Sequence, residues 1–353
     1  MNIKELLQLA IDRNASDLHI LVGLPPALRV EGALIAVPGS KVLTKEEVDG
    51  FVLEVMTKEQ HERYMVNKEI DFSLSFSEKG RFRVNAYTQK QTPAIAFRLI
   101  PLTIGQIDSL GLPGILHSFT KLRQGLVLVT GPTGHGKSTT LAAMIDEINR
   151  TRAEHIVTIE DPIEFVFKPV KSMISQREMR NDTHSWSVAL RSVLREDPNV
   201  VLVGEMRDYE TISAALTVAE TGHLVFGTLH TNSASQTIDR IVDVFPSDQQ
   251  DQVRMQLSTA LEAVFSQRLV PGISGKRVIA YEVMLATGAI KTAIRDSKTH
   301  QIDNILQTSQ ESGMVTLDRS LADLVKKGTI AMETAQSFSL RPDELTRLIS
   351  GRK

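Results

Sequence analysis

Between Gly131 and Ser138 the chain reads Gly-Pro-Thr-Gly-His-Gly-Lys-Ser, the spacing G-x-x-x-x-G-K-[ST]. That spacing serves to hold a polyphosphate. Several backbone N–H groups must turn inward around one anion, and glycines allow the tight path without putting a side chain in the way. Lys137 then reaches the β and γ phosphates, and the Ser138 hydroxyl takes a Mg²⁺ ion. An apolar run, Leu126 to Thr130, precedes the loop, and a helical pattern, Ser138 to Arg150, follows it. The positive end of that helix would face the anion. The binding set is therefore Gly131, Pro132, Thr133, Gly134, His135, Gly136, Lys137, Ser138 and Thr139, with ATP and Mg²⁺ as the bound species. A chance Gly/Ser loop is the competing reading, and the strand before and helix after weigh against it.

Other residues could complete a hydrolytic site. Asp197-Pro-Asn-Val-Val-Leu-Val-Gly204-Glu205 puts a carboxylate just past a buried strand. In open α/β sheets, ligands sit at the carboxyl ends of the strands. Glu205 can polarise a water or hold the Mg²⁺ shell through water, while Gly204 stands where Asp is common. A second apolar run, Ile156 to Ile159, also ends in acids, Glu160-Asp161-Pro-Ile-Glu164. Glu160, and after it Glu164, could align an attacking water as general base. A helix-entry acid cluster is the alternative. His230 lies past a further run, Leu224 to Leu229, where it could donate a hydrogen bond to a γ phosphate or serve structure alone. His223 starts that run, on the side away from the loop. His135 reads as a ring facing solvent. Arg81, Arg83 and Arg98 lie on strand-like runs nearer the amino terminus, with Arg81 and Arg83 on one face by the period of two. Arginine suits the charge on a transferring phosphoryl group, sometimes from a neighbouring subunit. Solvated strand-face charge is the alternative for all three.

The elements that must position these residues follow from apolar spacing. Ile3, Leu6, Leu7, Ala10 and Ile11 predict a first helix. Strand-like runs follow at Leu18 to Val22, Ala27 to Val30, Asp71 to Phe76, Arg81 to Tyr87 and Ala94 to Leu99, with a helical stretch from Lys45 to Glu69 and a turn at Glu78 to Gly80. Residues 1–100 thus make a mixed α+β domain. Residues 101–124, with Pro101, Gly105, Gly111, Pro113 and Gly114, read as a connection. From 125 to 272 near-continuous apolar runs alternate with amphipathic stretches, the pattern of a parallel sheet with crossover helices. Residues 273–353 hold one strand candidate, Arg277 to Val283, and then helices.

Composition excludes several classes. The chain has 353 residues and no cysteine, so disulfides, thiolate zinc sites and cysteine nucleophiles are absent together. A formal net charge of -2 argues against a nucleic-acid backbone as main partner. No apolar run reaches the roughly 18 residues of a membrane span, and the amino terminus lacks a signal-peptide core. A cytoplasmic protein that meets a membrane only through a partner is expected.

Four boxes together resemble a known family: GPTGHGKSTT (131–140), TIEDPIEF (158–165), LVGEMRD (202–208) and AETGHLVFGTLHTNSA (219–234). They are similar to the secretion-type motor ATPases, and most closely to the retraction ATPases of type IV pili. ASDLHI (15–20), GRFRVNAY (80–87) and IDRIVDVFP (238–246) extend the likeness over nearly the whole chain. The resemblance implies an α/β protein with a PAS-like amino-terminal domain, a RecA-like P-loop ATPase domain and a helical carboxyl-terminal extension. It implies a homohexamer with ATP at subunit interfaces. Glu205 would be the catalytic acid, Glu160 and Glu164 its acidic-box partners, His230 the phosphate sensor, and Arg81, Arg83 and Arg98 phosphate contacts. The partners implied are an inner-membrane platform protein and, through it, pilin, with no nucleic acid and no membrane insertion. The lack of cysteines and the short amino-terminal region favour retraction over pilus extension or type II secretion, the nearest alternatives. A nucleotide-gated binding module with little turnover is a third reading. The retraction pattern AIRNLIRE stands here as AIKTAIRD (289–296), matching at Ala289, Ile290, Ile294 and Arg295. His135 stands where a small residue is usual.

Overall fold

The computed structural model describes residues 1–76, 80–100 and 103–350. Glu78 and Lys79 of the expected turn, Pro101 at the head of the expected connection, and residues 351–353 lie outside the described residues. The chain forms two compact units: residues 1–103 with 162–166, and residues 104–161 with 167–353. Among the described residues no helix is long and apolar enough to cross a membrane.

The first unit starts with helix α1 (Ile3–Asp12), which the Asn2 side chain caps while Glu5 returns the bond. Strands β1 (Asp17–Leu21), β2 (Ala27–Val30) and β3 (Ala33–Ala36) follow, then α2 (Lys45–Val55), α3 (Lys58–Asn67), β4 (Glu69–Phe76), β5 (Gly80–Gln89) and β6 (Thr92–Ile100). The spacing from Lys45 to Glu69 predicts one helical stretch, but the structure has two helices. Met56 is extended, and Thr57 opens a new capping box with Gln60. All six strands pair antiparallel, in the spatial order β3-β2-β1-β6-β5-β4. Period two divides the faces. Leu18, Ile20, Phe82, Val84, Ile95 and Phe97 pack with Leu6 and Leu7 of α1 and Val48 and Val52 of α2. The opposite face carries Asp17, Arg83 and Arg98.

In the second unit, the residues after Ile104 bury Ile107, Leu112 and, on helix α4 (Leu116–Phe119), Leu116 and Phe119. Strand β7 (Gly125–Thr130) leads through the loop to α5 (Lys137–Thr151). Then come β8 (His155–Glu160), β9 (Met173–Glu178), α6 (Trp186–Val193), β10 (Val200–Val203), α7 (Tyr209–Glu220), β11 (Leu224–Leu229), α8 (Ala234–Asp243) and α9 (Gln250–Ala260). Strands β12 (Leu261–Pro271) and β13 (Arg277–Leu285) follow, and helices α10 (Gly288–Arg295), α11 (Ile302–Thr308), α12 (Leu317–Lys326), α13 (Met332–Phe338) and α14 (Pro342–Ser350) end the chain. The sheet runs β13-β12-β7-β11-β10-β8-β9. Every neighbouring pair is parallel except β12 with β13. Strands β7, β10 and β11 are buried at every position, which is why they read as unbroken apolar runs. Burying such a Leu, Val or Ile contributes about 1.5–3 kcal/mol each. Strands β3, β9 and β12 are absent from the sequence reading.

Candidate active site

The loop after β7 takes a path that only glycine allows. Gly131 has φ 140°, and a Cβ on it would lie 2.2 Å from the Gln267 carbonyl oxygen of β12. Gly134 (φ 79°) and Gly136 (φ 85°) are left-handed. Gly136 is the N-cap of α5 and offers no side chain to it. The first helical bond runs from the Thr140 N–H to the Gly136 carbonyl at 3.0 Å. The first-turn N–H groups of α5 therefore have no acceptor within the helix, and this end of the helix faces outward to where an anion would sit. Lys137 is buried, and its Nζ donates to the carbonyls of Gly131 (2.8 Å) and Pro132 (3.1 Å). A buried ammonium needs such acceptors.

Strand β12 backs the loop. Gln267 accepts from the Thr140 hydroxyl at 2.7 Å and donates through Nε2 to the His135 carbonyl, also at 2.7 Å. His135 does not face solvent as the sequence reading has it. Its Nδ1 accepts the Leu269 N–H at 2.9 Å, which puts the ring proton on Nε2. Burial pushes its pKa down, and the positive charges of Arg268, Arg277 and Lys137 push the same way. A protonated Nδ1 would break the bond to β12, so the neutral ring is what fastens the loop. Arg277 adds a bond to the Gly134 carbonyl at 3.3 Å.

Glu205 follows β10 and is gripped by β11. The Thr228 hydroxyl donates to the Gly204 carbonyl at 2.6 Å, and the Met206 N–H donates to the Thr228 carbonyl at 3.0 Å. Thr228 thus holds the turn on both sides of Glu205. Met206 packs so closely over Gly227 that a Cβ there would lie 2.5 Å from its sulfur. Gly204 has its own reason: a Cβ would come within 3.2 Å of the Glu160 Cα and the Ile159 carbonyl. A side chain at that point would require both neighbours to give by a few tenths of an ångström, and the carboxylate comes one residue later.

His230 joins the two halves of the site. Its Nε2 lies 2.8 Å from Glu205 Oε1, and its Nδ1 lies 3.4 Å from Lys137 Nζ and 3.2 Å from the Thr133 hydroxyl. An ammonium can only donate, so Nδ1 accepts and the proton on Nε2 points at Glu205. Arg207 Nε donates to the same Oε1. Among the described residues Oε2 of Glu205 accepts no hydrogen bond.

The remaining candidates are placed as follows. Glu160 is buried, and its Oε1 accepts from the Thr158 hydroxyl at 2.7 Å and from Gln176 Nε2 of β9 at 3.4 Å. The Gly204 N–H bonds the Ile159 carbonyl at 2.8 Å, which sets Glu160 beside the Glu205 turn. Glu164 belongs to the first unit. So do the three arginines. Arg83 stands directly opposite Arg98 on the paired strand, and carboxylates relieve that like-charge contact: Asp17 bonds Arg98 at 2.9 Å, and Asp71 lies 3.9 Å from Arg83. Arg81 is half-buried two residues before Arg83. His223 sits at the other end of β11, where its Nδ1 meets the Val218 carbonyl at the end of α7 at 3.0 Å. Gln267, Thr228 and Asp17 are missing from the sequence reading. The signal that could have found Gln267 is an amide inside a strand that has to back the loop's glycines.

A glycine cradle at the end of one parallel strand, facing a carboxylate at the end of another, defines a P-loop nucleotide-binding protein of the α/β class. The model of the family described as Type II/IV secretion system protein matches residues 1–277. The chain is 48% identical over 343 residues to the Type IV pilus retractation ATPase PilT of Pseudomonas aeruginosa, covering 97% of this chain and 99% of that protein. It is 51% identical over 312 residues to a Twitching motility protein of Neisseria gonorrhoeae, covering 88% of this chain and 83% of that protein. A crystal structure of the pilus retraction motor PilT with bound ADP superposes with a TM-score of 0.92 at 45% identity, over 98% of this chain and 99% of that one. The chain belongs to the Type II/IV secretion system protein family, among its type IV pilus retraction ATPases.

Proposed function

We propose that the chain hydrolyses ATP to drive retraction of type IV pili. One observation carries the catalytic part: the His230 ring lies against both Lys137 of the phosphate loop and the Glu205 carboxylate. A γ phosphate arriving at Lys137 would compete for its ammonium, and His230 would register the change and pass it to Glu205. The attacking water gives its proton to Glu205 Oε2. Glu160 steadies the same turn, and Glu164 completes the acidic box. Arg81, Arg83 and Arg98 are the cations that would reach the phosphates of bound nucleotide, with Asp17 and Asp71 holding two of them ready.

The glycine cradle and the positive end of α5 suit a triphosphate. The Ser138 hydroxyl and the Glu205 carboxylate, through water, are the hard oxygen donors that Mg²⁺ takes. When bound, Mg²⁺ would neutralise charge on the β and γ oxygens.

The larger reading follows the relatives. Residues 1–100 act as a PAS-like domain, 101–124 as the connection, 125–272 as the RecA-like ATPase and 273–353 as its helical extension. Six copies form a ring, cytoplasmic and held at the inner membrane by a platform protein, through which pilin is withdrawn. Glu205→Gln should keep nucleotide binding and lower kcat by about 10²–10⁴-fold, the usual worth of a general base. Lys137→Ala should abolish binding. Wild-type turnover in the Glu205→Gln protein overturns the catalytic reading. Deleting the gene should leave cells with surplus pili and no twitching, and bald cells would overturn retraction.

A further inference from the structure

The mechanism above leaves several buried carboxylates unused, and Glu282 is the one among them that lies in register with the root of the phosphate loop. Glu282 lies on β13 with 3% of its surface exposed. In register it stands opposite Ser266, and Ser266 stands opposite Thr130, the residue before Gly131. The Ser266 and Thr130 hydroxyls bond at 2.6 Å. The three side chains therefore line one face of the sheet at the root of the phosphate loop.

The Glu282 carboxylate meets the starts of two helices. Its Oε1 accepts the N–H of Ala234, the first residue of α8, at 2.7 Å. Its Oε2 lies 3.5 Å from the N–H of Leu317, the first residue of α12. Both N–H groups are ones that a helix cannot satisfy itself, and each helix presents its positive end to the charge. The arrangement is costly. Burial pushes the Glu282 carboxyl up to about 7, with Asp303 adding to the shift, while the two N–H groups and Arg341 oppose it. An apolar side chain of the same volume here would leave both N–H groups without an acceptor.

The position of α8 matters to the site because His230 to Ser233 is all that separates β11 from it. Strand β11 fixes one end of that segment and Glu282 fixes the other. Within it, the Ser233 hydroxyl caps α8 and the Thr231 hydroxyl bonds Thr237 at 2.6 Å. On the other side, α12 is held to β13 by two bonds exchanged between Val283 and Val315, at 2.8 and 3.1 Å. We infer that Glu282 is a positioning residue for hydrolysis: its one carboxylate ties the helix that follows the His230 segment to the first helix of the α12–α14 group, so the setting of His230 depends on where α12 sits. This rests on the ATPase reading above.

Two substitutions test it in the full-length protein. Glu282→Gln keeps the shape but can accept only one of the two N–H groups. Ala234→Pro removes the N–H given to Oε1 and leaves Glu282 in place. Proline suits the first position of a helix, and the residue before it, Ser233, is already extended, as proline prefers. ATP turnover is measured per site, with sites counted by binding of a fluorescent ADP analogue. Both variants should lose roughly tenfold to a hundredfold in kcat, the scale of a misplaced catalytic group, with KM and site count unchanged. Wild-type turnover per site in either variant overturns the inference. So does a loss of turnover in simple proportion to lost sites, since Glu282 would then serve folding alone. A wild-type chain that binds nucleotide without hydrolysing it overturns the ATPase reading instead, and this inference with it.

Discussion

His117 sits between two carboxylates, with Asp108 Oδ1 3.2 Å from Nε2 and Glu147 Oε2 2.8 Å from Nδ1. Both ring nitrogens can donate only in the imidazolium, so the bonds to Asp108 and then to Glu147 raise its pKa above the ordinary histidine value. Glu147 is on α5, and the pair thus ties the segment before β7 to the helix that carries the phosphate loop. Because the folded pKa is the higher one, the stabilisation is complete below the unfolded value and is lost as pH rises through the folded value. His117→Gln should therefore cost about 0.5–1 kcal/mol near pH 6, a small figure because the ring is partly open to water, and close to nothing near pH 9. Urea unfolding at the two pH values measures this, and a larger penalty at the higher pH would refute it. Which site residues could be read in advance follows the same logic of partners. Lys137, Glu205 and His230 were legible because each sits at a strand end or in a loop of recognisable spacing. Thr228, Gln267 and Glu282 were not, because what marks them is the atom each one touches. His135 was misread because its partner, the Leu269 N–H, is on a strand far along the chain.

Helices declare their starts more openly than strands do. Asn2 with Glu5, Thr44 with Glu47 and Thr57 with Gln60 are three capping boxes, each with both bonds made. The third is what divides the stretch from Lys45 to Glu69 into α2 and α3. Its effect can be weighed: Thr57→Ala should destabilise the first unit by about 1 kcal/mol, read as a lower urea midpoint with unchanged slope. No loss at all would mean that packing of Tyr64 alone sets the start of α3. Among strands, those buried on both faces showed as apolar runs, whereas β12 did not. Its Glu262, Ser266, Gln267 and Arg268 each serve a partner: Lys291, Thr130, the loop and the Phe338 carbonyl. Strands β9 and β3 lie at sheet edges, and apart from the buried Glu178 their residues are exposed or half-buried, so no burial pattern marks them. Of the four positions in α10 that match the retraction pattern, Ile290 and Ile294 are fully buried while Ala289 and Arg295 are exposed, and the divergent Lys291 pairs with Glu262 at 3.7 Å.

At the scale of the whole chain, each unit has a large hydrophobic core of its own among the described residues, and the second carries a further one around α12–α14. The first is closed by antiparallel neighbours, several of them adjacent in sequence. The second depends on parallel strands joined by crossover helices, so its contacts are more distant along the chain and slower to form. Separate cores predict separate consequences of a cavity. Phe97 is fully buried and meets Phe82 edge to face, with ring centroids 6.2 Å apart. Phe97→Ala should cost the first unit about 3–5 kcal/mol, and Leu128→Ala, on β7, should cost the second about 2–5 kcal/mol. Hydrogen exchange on the full-length protein distinguishes the two. The first substitution should speed exchange of amides in β1, β5 and β6 and spare β7, β10 and β11, and the second should do the reverse. Equal loss of protection in both units after either change would mean that they unfold as one body, and the division into two cores would then have no thermodynamic meaning. If the reverse patterns appear, the carboxylate, histidine and lysine of the site rest on the stability of the second unit alone. Damage to the first unit should then reduce turnover only through whatever that unit's own residues bring to the nucleotide.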